Sequence, residues 1–227
     1  MQYFLGVFWP FRFFLSQGSD APSRLREWLD PMNQNPTTQN GYPQSAPQIL
    51  SISGNIQTHW GVPMPGVQVN LSGSTTATVY TDASGNYTFG NLAAGGNYVV
   101  APVRDTNHLN GVSTFDLVLI TKHILGLDPL DSPWKIIAAD ANKSNSVTTF
   151  DIVEIRKLIL GIYLSYPANT AWRFLPANAN FPNPANPFGA TLPVGSLSVN
   201  NLQTSQTGVD FKGTKIGDAN NSADPGQ

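Results

Sequence analysis

Residues 66–73 read GVQVNLSG, and this short stretch decides the class of fold. Val67, Val69 and Leu71 alternate with polar residues, so that an extended chain would carry one apolar and one polar face. The same period of two returns in later runs, at Val79, Tyr87, Phe89, Tyr98 and Val100. This alternation predicts short β-strands that each bury one face.

Turn sequences separate these runs at intervals of roughly ten residues, which is typical of an antiparallel β-sandwich. The turns contain Pro65-Gly66, Ser84-Gly85-Asn86 and Gly95-Gly96-Asn97. The succession GVQVNLSG, TDASGNYTF and LAAGGNYVV resembles the carboxypeptidase regulatory-like and collagen-adhesin B-type repeats, which share a prealbumin-like β-sandwich. The resemblance implies that residues 48–103 are a structural module without an active site.

A duplication follows the predicted sandwich. The segment VSTFDLVLITKHILGL at 112–127 returns as VTTFDIVEIRKLILGI at 147–162, with ten of the sixteen positions identical. Apolar residues recur at helical spacing in both copies, and Gly126 and Gly161 stand where a helix ends in the left-handed conformation. Residues 104–165 therefore predict a pair of helices that bury their apolar faces against each other.

Each predicted helix follows a loop that begins with aspartate. Positions 1, 3 and 12 of the loops are Asp105, Asn107 and Asp116 in the first copy, and Asp140, Asn142 and Asp151 in the second. Carboxylate, amide and carboxylate at these positions is the ligand spacing of a calcium loop that leads into a helix. One alternative stays open, because Asp and Asn before a helix are also ordinary N-caps that need no metal.

The duplicated residues resemble the dockerin family, in which two F-hand calcium loops each precede one helix. The resemblance implies three further ligands in the second loop, namely Ser144, Thr148 and the backbone carbonyl of Ser146. In the first loop it implies Ser113 at position 9, whereas Leu109 at position 5 has no side-chain oxygen. We therefore expect two calcium sites, the first of which binds more weakly or uses Asn110 or water.

The same resemblance implies a surface that binds a protein partner. In dockerins, loop positions 10 and 11 and basic residues of the helix contact a cohesin domain. The matching residues here are Thr114, Phe115 and Lys122 in the first copy, and Thr149, Phe150, Arg156 and Lys157 in the second. The two phenylalanines could instead fill the core between the helices, and the sequence leaves both alternatives open.

The two ends of the chain are less regular. Residues 1–47 join an apolar stretch, which could be a degenerate signal peptide or a docking strand, to a linker rich in Asn, Gln, Pro and Thr. Residues 166–227 predict an extended segment with short strands. Its end repeats the start of the second loop, so that Asp218 and Asn220 are either additional calcium ligands or an Asx turn.

Composition excludes several functions. Only 11% of the 227 residues are charged and the net charge is -2, which argues against a nucleic-acid partner. There is no cysteine for disulfides or thiolate metal sites, and the apolar N-terminal stretch is too short to span a bilayer. The excess of 12 Asp over 2 Glu suits calcium loops. The sequence contains no evident pairing of a nucleophile with a base and no glycine-rich phosphate loop, so nothing in it indicates an enzyme.

These patterns together predict a mainly β fold with a small α part: a prealbumin-like sandwich and a dockerin-like pair of calcium loops and helices. The ending DFKGTKIGDAN resembles the C-terminal regions of large secreted proteins of the Bacteroidetes lineage. We expect a non-catalytic extracellular calcium-binding module at a bacterial surface, whose partner is a cohesin-like domain or a copy of itself. The alternatives are a self-assembling fibre or surface-layer subunit and an accessory fragment of a larger secreted hydrolase.

Overall fold

The computed structural model describes residues 49–227. The predictions for residues 1–47 lie outside the described residues. The strands are β1 Leu50–Thr58, β2 Gln68–Gly73, β3 Ala77–Tyr80, β4 Asn86–Leu92, β5 Tyr98–Val103, β6 Trp172–Pro176, β7 Leu197–Val199 and β8 Phe211–Lys215. The helices are α1 Thr114–Ile124, α2 Pro133–Ala139 and α3 Thr149–Ile159, and a short 3-10 turn covers Pro187–Gly189.

The strands form two sheets of four strands each. One sheet has the order β4-β1-β8-β6, and the other has the order β3-β2-β5-β7. Neighbouring strands are antiparallel except for β1 and β8, which are parallel. The predicted sandwich of antiparallel-rich sheets is confirmed. The parallel pair arises because β8 returns after a long insertion, so no tight hairpin fixes its direction.

The alternating apolar residues meet between the two sheets. Val67, Val69 and Leu71 on β2 and the loop before it are buried, and Tyr87 and Phe89 on β4 lie in the same core. Burying a side chain of this size stabilises the fold by about 1.5–3 kcal/mol. The period of two in the sequence therefore corresponds to one buried face on β2, β4 and β5.

Residues 166–227 complete the sandwich. β8 lies between β1 and β6, and β7 pairs with β5. Trp172 and Phe211 from these strands are buried in the core that the first five strands form. The helical residues 104–165 are therefore an insertion between strands of one sandwich, and the C-terminal segment is one of its structural parts.

Helices α1 and α3 form at the two predicted positions and pack against each other. Leu117 and Ile120 of α1 meet Ile155 and Leu158 of α3 in a second core, which Ile216 after β8 also enters. Helix α2 was not predicted, although it begins with an N-capping Ser132 followed by proline, which is a start signal. None of the helices in the described range is long and apolar enough to cross a membrane.

Candidate metal centre

The loop that leads into α3 closes around its two carboxylates. Asp140 accepts the N–H groups of Ser144 at 2.8 Å and Asn145 at 3.1 Å, one on each carboxylate oxygen. Oδ1 of Asp151 accepts the N–H of Asn142 at 3.1 Å. Both aspartate side chains are 0% exposed. The loop therefore brings the two ends of the predicted ligand set together in the interior.

Amide, hydroxyl and carbonyl oxygens complete this cluster. Oδ1 of Asn142 accepts the N–H of Ser144 at 3.0 Å, and Oγ of Ser144 donates to the carbonyl of Ser146 at 3.2 Å. The hydroxyl of Thr148 lies 3.2 Å from Oδ2 of Asp151. All residues expected as ligands in the second loop thus belong to one hydrogen-bonded cluster, and each of them has an oxygen atom that could coordinate a metal ion.

Both long helices begin with an N-cap of the kind that the sequence left open as an alternative. Ser113 and Thr148 form capping boxes with Asp116 and Asp151, whose Oδ2 atoms accept the N–H of the capping residue. Capping therefore accounts for one oxygen of each aspartate. Capping of α3 does not account for the buried carboxylate of Asp140, which lies in the loop between α2 and α3.

The residues expected at positions 1 and 3 of the first loop have other partners. Oδ1 of Asp105 accepts the N–H of Ala171 at 2.8 Å and lies 3.0 Å from Nε2 of His108. Asn107 has a left-handed φ of 53° and starts a turn through its carbonyl. Among the described residues, no hydrogen bond joins either side chain to Asp116.

Asp116 accepts a hydrogen bond from the C-terminal segment. Oδ1 of Asp116 accepts the N–H of Ala219 at 2.8 Å. Asp218 and Asn220 both accept the N–H of Ser222, at 3.2 Å and 3.0 Å. The side chains of Asp116 and Asp218 are 0% and 1% exposed. Asp218 and Asn220, considered above as extra ligands, therefore lie beside the first helix because β8 ends there.

Asn110 positions the C-terminal segment. Its Nδ2 donates to the carbonyl of Asp224 at 2.7 Å, and its Oδ1 accepts the N–H of the same residue at 3.1 Å. Oγ of Ser222 donates to the carbonyl of Gly111 at 3.0 Å. Gly111 and Ser222 were not predicted as site residues. The repetition of DANKS as DANNS pointed to this segment, but only Asp218 and Asn220 were predicted from it.

Burial makes one carboxylate of each pair, Asp140 and Asp218, electrostatically costly. The pKa of Asp140 is raised, mainly by burial and further by the charge of Asp151. The pKa of Asp218 is raised by burial and by Asp116. Burial lowers the pKa of Lys215 to about 7, and its Nζ donates to the carbonyl of His108 at 2.5 Å. An ionised pair at either place therefore favours a bound cation.

The chemistry of the two donor sets fits a hard cation. Each set consists of two carboxylates with amide, hydroxyl and carbonyl oxygens, which Ca²⁺ prefers. Within residues 49–227, no three His, Cys, Asp or Glu side chains form a group that could hold a metal by themselves. Any ion at these places would therefore depend on the neutral oxygens as well as on the aspartates.

The two phenylalanines predicted at the docking surface lie outside the core. Phe115 is 56% exposed and Phe150 is 72% exposed, so the alternative that they fill the core is wrong. Each repeat adds exposed apolar residues in matching places on the helix and just after it, which are Val118, Leu125 and Leu127 in the first copy and Val153, Leu160 and Ile162 in the second. We call this surface, with the two phenylalanines, the apolar helix face.

Three of the other predicted partner residues line a common groove. Thr114, Lys122 and Arg156 line a groove of about 570 Å³ between α1 and α3. Thr149 is exposed at the start of α3. Lys157 differs, because its Nζ bonds Glu154 at 3.1 Å and the hydroxyl of Tyr163 at 3.3 Å.

Comparison with protein families supports the sandwich. Residues 51–114 match the model of the carboxypeptidase regulatory-like domain. The matched range covers the first five strands except Leu50 and ends at the first residue of α1, so the rest of the helical pair lies outside it. Comparison with curated proteins found no match.

Proposed function

We propose that this chain is a non-catalytic calcium-binding module that presents the apolar helix face to a protein partner, as part of a secreted or surface protein. The observation that carries the proposal is the buried pair Asp140 and Asp151 inside an oxygen-rich loop. The regulatory-like sandwich is a general structural or interaction fold and agrees with a role of this kind.

Electrostatics favours calcium over capping alone as the purpose of this loop. Two ionised carboxylates in the interior repel each other, and burial penalises the charge of Asp140. The basic group beside them is Arg173, whose Nη1 lies 3.9 Å from Oδ2 of Asp140, too far for a hydrogen bond. A bound calcium ion would add the positive charge that offsets this repulsion, and its binding free energy would stabilise the folded state.

The apolar helix face supports the interaction part of the proposal. Large exposed apolar residues rarely form a continuous patch on a protein surface unless the patch binds something. Here they occur in equivalent places in both repeats, and Val118, Leu125, Leu127 and Leu160 line one groove together with the basic side chains of Lys122 and Arg156. A protein partner, either a cohesin-like domain or a second copy of this chain, would cover the patch.

Calcium titration by calorimetry and thermal melting with and without chelator test the proposal. A calcium concentration 100-fold above Kd stabilises the folded state by about 2.7 kcal/mol. A gain of that size raises Tm by roughly 5–10 °C for a domain of this size. Asp140→Asn keeps the shape of the side chain and should abolish binding at this loop.

Two control variants separate calcium binding from helix capping. Ser132→Ala removes the N-cap of α2, which lies outside the calcium loop, and should cost about 1 kcal/mol with or without calcium. Asp128→Asn removes an exposed carboxylate and should change neither binding nor Tm appreciably. A melting temperature of the unaltered protein that does not respond to chelator would refute the proposal.

A further inference from the structure

We infer that the calcium site of the first repeat is discontinuous: Asp218, Asn220 and Ser222 of the C-terminal segment combine with Ser113, Asp116 and the carbonyl of Gly111 at the start of α1. The inference rests on the proposed calcium binding of this protein. It replaces Asp105 and Asn107, which precede α1 in sequence, with residues more than a hundred positions further along the chain.

The backbone of the C-terminal segment repeats three hydrogen bonds of the second loop. The N–H of the fifth residue donates to Oδ1 of the first, from Ser144 to Asp140 at 2.8 Å and from Ser222 to Asp218 at 3.2 Å. The N–H of the sixth donates to Oδ2 of the first, at 3.1 Å in the second loop and at 2.8 Å from Ala223. The third residue accepts from the fifth at 3.0 Å in both places.

The repetition extends to the second segment of the proposed site, which enters α1 and is far from the C-terminal segment in sequence. In the second loop, the hydroxyl of Ser144 at position 5 donates to the carbonyl of Ser146 at position 7 at 3.2 Å. In the first repeat, the hydroxyl of Ser222 donates at 3.0 Å to the carbonyl of Gly111, the residue at position 7 before α1. The C-terminal segment therefore occupies positions 1 to 5, and the chain entering α1 occupies positions 7 to 12.

This arrangement removes the defect of the first loop. Leu109 has no oxygen for position 5, but the hydroxyl of Ser222 provides one. The fourth residues also agree, since Lys143 and Asn221 have left-handed φ angles of 59° and 62°. Oδ1 of Asn221 is buried and accepts no hydrogen bond from the described residues, which leaves an additional oxygen acceptor in this loop.

Contacts outside the ligand set hold the C-terminal segment in place. The side chain of Asn110 bonds the backbone of Asp224 in both directions, and the guanidinium of Arg104 donates to the carbonyls of Pro225 and Gln227. These bonds do not involve a carboxylate of the site, so they preorganise it. Calcium binding here would therefore join the strand β8, which precedes Asp218, to the first helix.

Calorimetric titration of calcium into the full chain tests the inference with three matched variants. We expect two binding events in the unaltered protein, one in Asp218→Asn and one in Asp140→Asn. We expect two in Asp105→Asn, whose amide oxygen can still accept from Ala171. If Asp105→Asn loses an event and Asp218→Asn keeps both, the first site is continuous and the inference fails.

A single event that persists in Asp218→Asn also overturns the inference, while it leaves the proposed function intact. No binding in the unaltered protein refutes both. Should Asp218→Asn fail to fold, as judged by circular dichroism, Asn220→Ala replaces a more exposed ligand and should weaken the same event at least tenfold. Hydrogen exchange adds a local readout: calcium should slow exchange at residues 218–224 in Asp140→Asn, and unchanged exchange there would contradict the inference.

Discussion

His59 is a residue whose environment links folding to pH. Its ring stacks on Trp134 at 5.6 Å and meets Trp60 edge-on at 4.8 Å. Both ring nitrogens are buried and have no hydrogen-bond partner among the described residues. Burial, and to a smaller extent the charges of Lys135 and Lys212, lower the pKa of His59 to about 4, although the backbone of Gly213 and the charge of Asp131 act in the opposite direction. The folded protein therefore keeps this imidazole neutral.

We predict that His59 makes the protein less stable in acid. Between its ordinary pKa of 6.5 and the folded value of about 4, the unfolded state binds the proton and the folded state does not. The contribution of neutral His59 to the free energy of unfolding is therefore fully present above about pH 6.5. It decreases as the pH falls towards 4, and about 1–2 kcal/mol is lost at pH 5. Urea unfolding of the unaltered protein and of His59→Phe at pH 7 and pH 5 measures the difference.

The phenylalanine variant keeps an aromatic ring for stacking and cannot titrate. Its loss of stability between the two pH values should be smaller by the stated amount, whereas equal losses would contradict the prediction. The buried aspartates act in the other direction. Because the pKa values of Asp140 and Asp218 are raised in the folded state, that state binds these protons more tightly than the unfolded state does. The stabilisation from these two protons is therefore present in acid and is lost as the pH rises.

The contacts of the candidate ligands could be predicted from the sequence only where they are local. The second loop spans twelve residues, so its spacing alone located Asp140 and Asp151. Spacing placed Asp105 in the first site because it assumes a continuous loop. The structure places Asp218 next to Asp116 through the pairing of β8 with β1 and β6, which no local pattern specifies. Leu109, unsuitable at position 5, was the local sign of this difference.

At the scale of elements, regular and long patterns gave reliable predictions. The alternation on β2 and the duplicated helical pattern of α1 and α3 each extend over enough residues to identify the element. Strand β7 has three residues, Leu197–Val199, and forms because β5 offers an open edge for pairing. Such a short strand forms because of its tertiary contacts, so the pattern of its own three residues could not predict it.

The apolar helix face yields a prediction at this scale. Phe115 and Phe150 are exposed, so Phe115→Ala and Phe150→Ala should each change the free energy of unfolding by less than about 0.5 kcal/mol. Phe89→Ala, a matched truncation in the sandwich core, should cost about 3–5 kcal/mol. Urea unfolding of the three variants measures these values. A loss above 2 kcal/mol at Phe115 or Phe150 would mean that the ring is structural and would weaken the docking proposal.

At the scale of the whole molecule, the sandwich depends on strands that flank the helical insertion on both sides. In the first sheet, β1 has β4 on one side and β8 on the other, and β8 in turn pairs with β6. Ile56 on β1 pairs with Phe211 on β8, and both are buried. The residues that match the regulatory-like domain, 51–114, therefore contain only part of the core.

We predict that residues 49–103 do not fold by themselves, although they contain the first five strands. Without β8 and β6, β1 would be an open edge and the core would lose Trp172, Phe174 and Phe211. Burial of each such aromatic side chain contributes about 1.5–3 kcal/mol, so their joint loss is comparable with the whole stability of a small domain. Residues 49–227, which keep every described strand, should unfold cooperatively in a thermal melt followed by circular dichroism. The shorter fragment should show no cooperative transition, and a transition at the same temperature would establish the five-strand unit as an independent domain.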